Sequence, residues 1–333
     1  MKEKNKGFTL VELLAVIVIL ALIALIATPI ILNVINDAKK QAAKDSAYGY
    51  MDAVEKYIVS SELEDKSIQD GTYRVEELNK KISVKGSTPD NGNIEIKEGA
   101  VKNYNLGIDG YYITKDEVKK VSTTKSFKNG TAVYYNPETG KKCSESESKS
   151  TTGKNSGCMK WYVFNDKEGN ATVNVILDHN TTANVAWNST GSNSEMKEVK
   201  KALENDTKDW KNTARLITAN EVAKITEHPT FDASRENQDR FCLDTNKPDT
   251  ANWCAKTKGT SKYTWLFDYT SVCTDYGCNI SDSSNWGYWT SIPYKDNTIN
   301  VWVVNSYGSL TLDYVTRTVV GIRPVITISK SNI

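Results

Sequence analysis

Lys6-Gly7-Phe8-Thr9-Leu10-Val11-Glu12-Leu13-Leu14 is the stretch that decides how this chain is built. Before it lies a short leader in which Lys2, Lys4 and Lys6 outweigh Glu3. After it, residues 13–35 carry no charge, and only Thr28 and Asn33 are plainly polar. As a helix that run would extend roughly 34 Å at about 1.5 Å per residue, enough to cross a hydrocarbon core of about 30 Å. The lysines place the leader in the cytoplasm and everything beyond Asp37 outside. Glu12 stands at the mouth of the run, where a carboxylate facing hydrocarbon costs several kcal/mol unless it is compensated.

An ordinary secretory signal has an apolar region of roughly 7–15 residues followed by a small-x-small cleavage site. This run is longer, and no convincing Ala-x-Ala follows it. A plain membrane anchor fits the length but gives Glu12 no purpose. Gly7-Phe8-Thr9-Leu10-Val11-Glu12 resembles the signal of type IV prepilins and pseudopilins, a likeness that covers the leader and first helix. The resemblance implies that residues 1–7 are a leader, cut between Gly7 and Phe8 by prepilin peptidase, and that the new amine of Phe8 is methylated. It also implies assembly with other pilin subunits, as a homo- or heteropolymer, by a pilus machinery. Cleavage would leave the Phe8 amine and the Glu12 carboxylate one helical turn apart. In a fibre the carboxylate can pair with the amine of a neighbouring Phe8, which offsets the cost of burying either charge and sets the axial register. The plainer alternative is an interfacial carboxylate that snorkels into water.

Pro29 removes one backbone hydrogen bond and is expected to bend or loosen the helix. Pilins commonly carry a proline near this point, and membrane helices in general tolerate one. Beyond the membrane, residues 37–63 hold no Pro and a single Gly49. Ala47, Met51, Val54 and Ile58 recur on one helix face, while Lys39, Lys40, Lys44, Asp52 and Glu55 lie mostly off it. The expectation is one helix over 8–63, roughly 84 Å long. Its membrane part covers about 10–35 and its second half packs on a globular head.

The chain has 42 basic and 41 acidic residues. That balance gives no strong nucleic-acid signal. All six cysteines, Cys143, Cys158, Cys242, Cys254, Cys273 and Cys278, lie on the exported side. An even count there suggests disulfides. Six cysteines allow fifteen pairings; nearest-neighbour closure (143–158, 242–254, 273–278) is preferred because each bond would staple a polar, loop-like stretch. A zinc site is the weak rival, because no Cys-x-x-Cys occurs and His179 and His228 are not spaced like ligands.

Composition divides the exported part. All eight Trp lie within 161–302. Residues 64–135 read as a small β head: Gly71-Thr-Tyr-Arg-Val75, a short helix over 76–81, Asn93-Ile-Glu-Ile-Lys97, a strand over 101–108, Gly110-Tyr-Tyr-Ile-Thr114, and one more strand over 131–135. Residues 136–157, rich in Ser, Lys, Gly and Thr, read as a linker or long loop. Residues 158–333 read as an aromatic, disulfide-containing domain. It includes a hairpin across 166–170, a helix over 194–204, and a short strand with an N-capping Thr218 before a second helix. "ARLITANEV", "YWTS", "VWVVNSYGSL" and "GIRPVITI" follow in an order that resembles C-type-lectin-like domains of formylglycine-generating-enzyme relatives and bacterial adhesins. The fold class expected is therefore α+β. A long transmembrane helix packs on a small antiparallel head, and an α+β lectin-like domain follows. Arg215 and Arg323 are expected to pin loops to the core. Trp286, Trp289 and Trp302 are the candidates for stacking on a glycan or host-surface ligand, against the plainer reading that most aromatics are core.

Cys273 and Cys278 sit five apart, as does the copper-binding pair of formylglycine-generating enzymes, but the downstream pattern of that family is not evident. The expectation is no enzyme, no cofactor and no metal. The chain reads as a pilin-like structural subunit of a pilus, or of a pseudopilus of the type II secretion kind. It would sit in the bacterial cytoplasmic membrane, in contact with lipid, before assembly and at the cell surface after it. A membrane-anchored adhesin that never polymerises and, more remotely, a surface enzyme are the alternatives.

Overall fold

The computed structural model describes residues 10–64, 66–84, 86–121, 126–149, 157–182, 184–244, 254, 261–267 and 286–333. The first element is the helix α1, Leu10–Leu63, which runs unbroken through Pro29. Pro29, expected to bend or loosen the helix, lies inside this continuous span, since losing one N–H leaves the rest of the ladder in place. Its two halves differ. Leu10, Leu20, Ile30 and Ile35 are exposed, whereas Ala43, Ala47, Tyr50, Met51, Val54 and Ile58 are buried. This buried set is one helical stripe, and it packs across the first sheet.

That sheet is an antiparallel meander of β1 (Gly71–Arg74), β2 (Asn91–Lys97), β3 (Ala100–Ile108), β4 (Tyr111–Thr114) and β5 (Val118–Lys120), with one helical turn, α2 (Val75–Leu78), after β1. Hence only the first turn of the helix expected over 76–81 forms, and it starts one residue earlier. Asp109-Gly110 joins β3 to β4 with both residues at positive φ, the backbone that a two-residue hairpin turn requires. Ile94, Ile96, Leu106, Ile108 and Ile113 face α1 and close this core.

The rest of the chain builds two further sheets. In chain order its elements are β6 (Ala132–Asn136), β7 (Lys141–Lys142), α3 (Glu145–Ser148), β8 (Met159–Phe164), β9 (Thr172–Leu177), α4 (Lys197–Asp206) and α5 (Ala219–Ile225). There follow β10 (Phe241–Cys242), β11 (Gly287–Pro293), β12 (Asn300–Asn305), β13 (Ser309–Tyr314), β14 (Val320–Gly321) and β15 (Val325–Ser329). The second sheet has the order β15-β9-β8-β6-β7, and the third β10-β13-β12-β11-β14. The third sheet is antiparallel except where β14 runs parallel to β11. Phe164, Ile176, Tyr288, Trp302 and Val304 join α5 in the largest shared core.

Two expectations about the chain's division need correction. The strand expected over 131–135 was grouped with the first head, but β6 pairs with β8, with Val133 opposite Trp161. The stretch 136–157 is likewise not structureless throughout. It holds β7 and α3, whose Ser144 and Glu147 form a reciprocal capping box. Cys143 is joined to Cys158, tying this excursion to the start of β8. Cys242 is joined to Cys254. Cys273 and Cys278, and the third expected bond, lie outside the described residues.

A polar seam connects the first and second sheets. On the face of the meander away from α1, Asn91 Nδ2 donates to the Thr172 carbonyl at 3.0 Å, and Asn93 Nδ2 to Thr327 Oγ1 at 3.0 Å. The Thr327 carbonyl accepts from Asn105 Nδ2 at 2.8 Å and from Asn212 Nδ2 at 2.9 Å. Thr327 Oγ1 then donates to Asn174 at 2.8 Å. All these side chains are buried. Amides suit the place, because each supplies both donors and an acceptor where burial would otherwise leave polar groups bare.

Candidate functional site

The N-terminal half of α1 is the first candidate. It offers 18 or more consecutive residues with the length and apolarity to cross a membrane, and none of that window is buried. Isolated apolar surface of this size cannot stay in water, so it belongs in lipid or against other helices. Glu12 lies in its first turn, where a carboxylate favours the positive end of the helix dipole. The expected processing residues Gly7 and Phe8 lie outside the described residues.

Residues 2–28 match the family described as the prokaryotic N-terminal methylation motif. The match is confined to the N-terminal segment and supports an N-terminus of the type IV pilin-like kind. The match supports a prepilin-peptidase substrate, and with the long apolar helix it fits membrane anchoring before assembly. The remainder of the chain lies outside this match, and no curated protein and no solved structure matches the chain.

The second candidate lies where the first sheet meets the rest of the chain. Arg74, at the end of β1, donates through Nε to Glu77 at 2.9 Å, and its Nη1 lies 3.1 Å from Glu221 Oε1. Arg215 grips the same Glu221 with two hydrogen bonds of 2.8 Å. Glu221 also belongs to the capping box of α5. Thr218 Oγ1 accepts the Glu221 N–H at 3.0 Å, and the Thr218 N–H donates to Glu221 Oε2 at 2.9 Å. Burial alone would raise this carboxyl, but the Arg215 and Arg74 guanidinium groups, with the hydrogen bonds from Arg215 and Thr218, hold it down at about 2. Here the sequence placed the Thr218 cap but missed Arg74, because its counter-ion is 147 positions away.

Arg323 is fully buried and donates to four backbone carbonyls, those of Leu177, Asp178, Trp265 and Leu266. Its guanidinium lies 5.3 Å from the Tyr288 ring centroid. This is the pinning role expected of it, and Arg215 pins α5 in the same sense.

The stacking candidates fare differently. Trp289 and Trp302 are wholly buried, which corrects their assignment as ligand platforms. Trp302 is packed edge-to-face by Phe231 and Tyr294, and Trp289 by Trp187. Both sit in a strand covered on its two faces, so neither orientation of the pleat would expose them. Trp286 is half-buried. A partly exposed indole stands elsewhere, at Trp210, which lines a cleft of about 410 Å³ between the first sheet and the region around α4.

Proposed function

We propose that the chain is a type IV pilin-like structural subunit. Prepilin peptidase cuts between Gly7 and Phe8 and the Phe8 amine is methylated. The N-terminal half of α1 then leaves lipid to pack against the same segment of other subunits. The single observation that carries this reading is the match of residues 2–28 to the methylation motif, continuous with a helix whose first half has no protein to pack on. Within the assembly, Glu12 pairs with the Phe8 amine of a neighbouring subunit and fixes the axial step. The hydrophobic run thus meets two solvents in succession, lipid and then copies of itself.

The distal sheets, which we read as a lectin-like domain, face outward and serve attachment or a tip position rather than catalysis. Cys143–Cys158 and Cys242–Cys254 suit an oxidising exported location.

Mass spectrometry of the mature N-terminus tests processing. We expect a chain beginning at methylated Phe8, and an unmethylated chain beginning at Met1 would overturn the reading. Glu12→Ala tests assembly: membrane insertion should persist while incorporation into surface fibres falls sharply. Unchanged incorporation would favour a membrane-anchored adhesin that does not polymerise.

A further inference from the structure

The meander's outer face is polar in two parallel rows. One row, Asn93 and Asn105, is covered by Thr327 in the seam. The next row is Thr72, Glu95 and Asn103, which pair across β1, β2 and β3. Nothing from the second sheet covers it, and all three are only partly buried. The row forms one wall of the cleft of about 410 Å³. The opposite wall comes from α4 and the segment behind it, with Lys200, Glu204 and Trp210. Trp210 is braced edge-to-face by the buried Trp161, 5.5 Å between centroids, so its ring is held in place. At the cleft floor Arg215, 5 % exposed, keeps an Nε–H with no hydrogen-bond partner.

We propose that this cleft binds a neutral oligosaccharide, with Trp210 stacking on a pyranose face and the Thr72–Glu95–Asn103 row holding its hydroxyls. The Thr72 hydroxyl donates to the Ala214 carbonyl at 3.2 Å and so faces the cleft as an acceptor, as does the Glu95 carboxylate. The Asn103 side-chain oxygen accepts the Tyr104 N–H at 2.9 Å, which leaves its Nδ2 as the donor, so the row both donates to and accepts from vicinal hydroxyls. The indole supplies a rigid apolar plate, the combination of one aromatic surface with a few converging polar groups that marks a small-ligand site. Charges of both signs line the walls, Lys97 and Lys200 against Glu95 and Glu204, so no net field selects an anion or a cation. The volume suits a disaccharide-sized portion of a longer glycan. The assignment deepens the attachment role given to the distal region and rests on it, but moves the site to the junction with the first sheet.

The test uses the full chain in micelles of a zwitterionic detergent without a sugar headgroup. Saturation-transfer NMR is run with cellotriose, maltotriose and the N-acetylglucosamine trimer as neutral probes, with sialyllactose and a neutral tripeptide for comparison. We expect saturation of at least one neutral probe. Trp210→Ala and the near-isosteric Glu95→Gln should each weaken it by about five- to tenfold, while Tyr314→Ser, on an exposed ring away from the cleft, leaves it unchanged. Failure of every neutral probe at millimolar concentration, preferential binding of sialyllactose or the tripeptide, or equal binding by wild type and Glu95→Gln would each overturn the assignment. Fibre incorporation by Glu95→Gln separates the two readings, because loss of sugar binding with intact incorporation leaves the subunit role standing.

Discussion

Glu221→Gln is the sharpest perturbation of the junction. The carboxylate neutralises Arg215 and Arg74 at once, and the two guanidinium side chains are 6 % and 17 % exposed. Gln keeps the shape and can still accept from the Thr218 N–H through its one oxygen, so the change removes the charge and one of the two hydrogen bonds from Arg215. Removing one partner of a buried ion pair costs about 3–5 kcal/mol. An independent figure comes from proton linkage. The carboxyl is depressed from 4.5 to about 2, a difference of about 3 kcal/mol at about 1.36 kcal/mol per pH unit. A depressed carboxyl contributes stability that is fully present above its unfolded value and is lost as pH falls through its folded value. The contribution of Glu221 should therefore be complete above about pH 5, roughly half spent at pH 3 and gone below about pH 2. Urea denaturation of the full chain in micelles, followed by tryptophan fluorescence, gives the comparison. At pH 7 the variant should be less stable by about 3 kcal/mol, and by pH 2 the two proteins should nearly converge, since the wild-type side chain is then neutral too. A gap that stays constant from pH 7 to pH 2, or a cost below about 1 kcal/mol at pH 7, would mean that the Glu221 charge does not hold this junction.

Other sites give smaller or differently diagnostic effects. Thr218→Ala removes the acceptor for the Glu221 N–H and should cost about 1 kcal/mol in the same denaturation assay. Thr327→Val keeps the carbonyl but deletes the hydroxyl between Asn93 and Asn174, for about 1–3 kcal/mol, and should speed amide exchange of β2 and β15 together. Cys143→Ser opens a loop with a sequence separation of 15 and should cost about 3 kcal/mol, an effect reproduced in the wild type by a reductant. Arg323→Leu strips four buried carbonyls of their donor and should be the most damaging of these, seen as loss of folded yield rather than a shifted midpoint.

Local patterns were legible where the physics is local. The 47-51-54-58 stripe of α1 could be read from helical periodicity, and the Thr218 cap from a hydroxyl three residues before a glutamate. The pairings that close within 15 residues, 143–158 and 242–254, were legible for the same reason. Sheet membership was not. Ala132–Asn136 precedes the first tryptophan and so resembled the head in composition, yet its hydrogen-bonding partner is Met159–Phe164. The inward orientation of Trp289 and Trp302 was hidden because a strand buried on both faces has no alternation to read. The cleft was illegible altogether, since Thr72 and Trp210 become neighbours only when two sheets dock.

The amide seam carries a kinetic consequence for an exported chain. Asn105 waits for a residue 222 positions further along before its side chain is satisfied. A hydrophobic joint would leave a sticky sheet face exposed throughout that interval, inviting aggregation with neighbouring chains at the membrane surface. A face built mainly of asparagine and threonine, with Tyr112 as its large apolar side chain, is far more at ease in water while it waits. The first head can therefore complete its own core against α1 early and receive the distal sheets as a late docking step, in which water leaves the amides and the small apolar contact of Tyr112 with Ala171 closes.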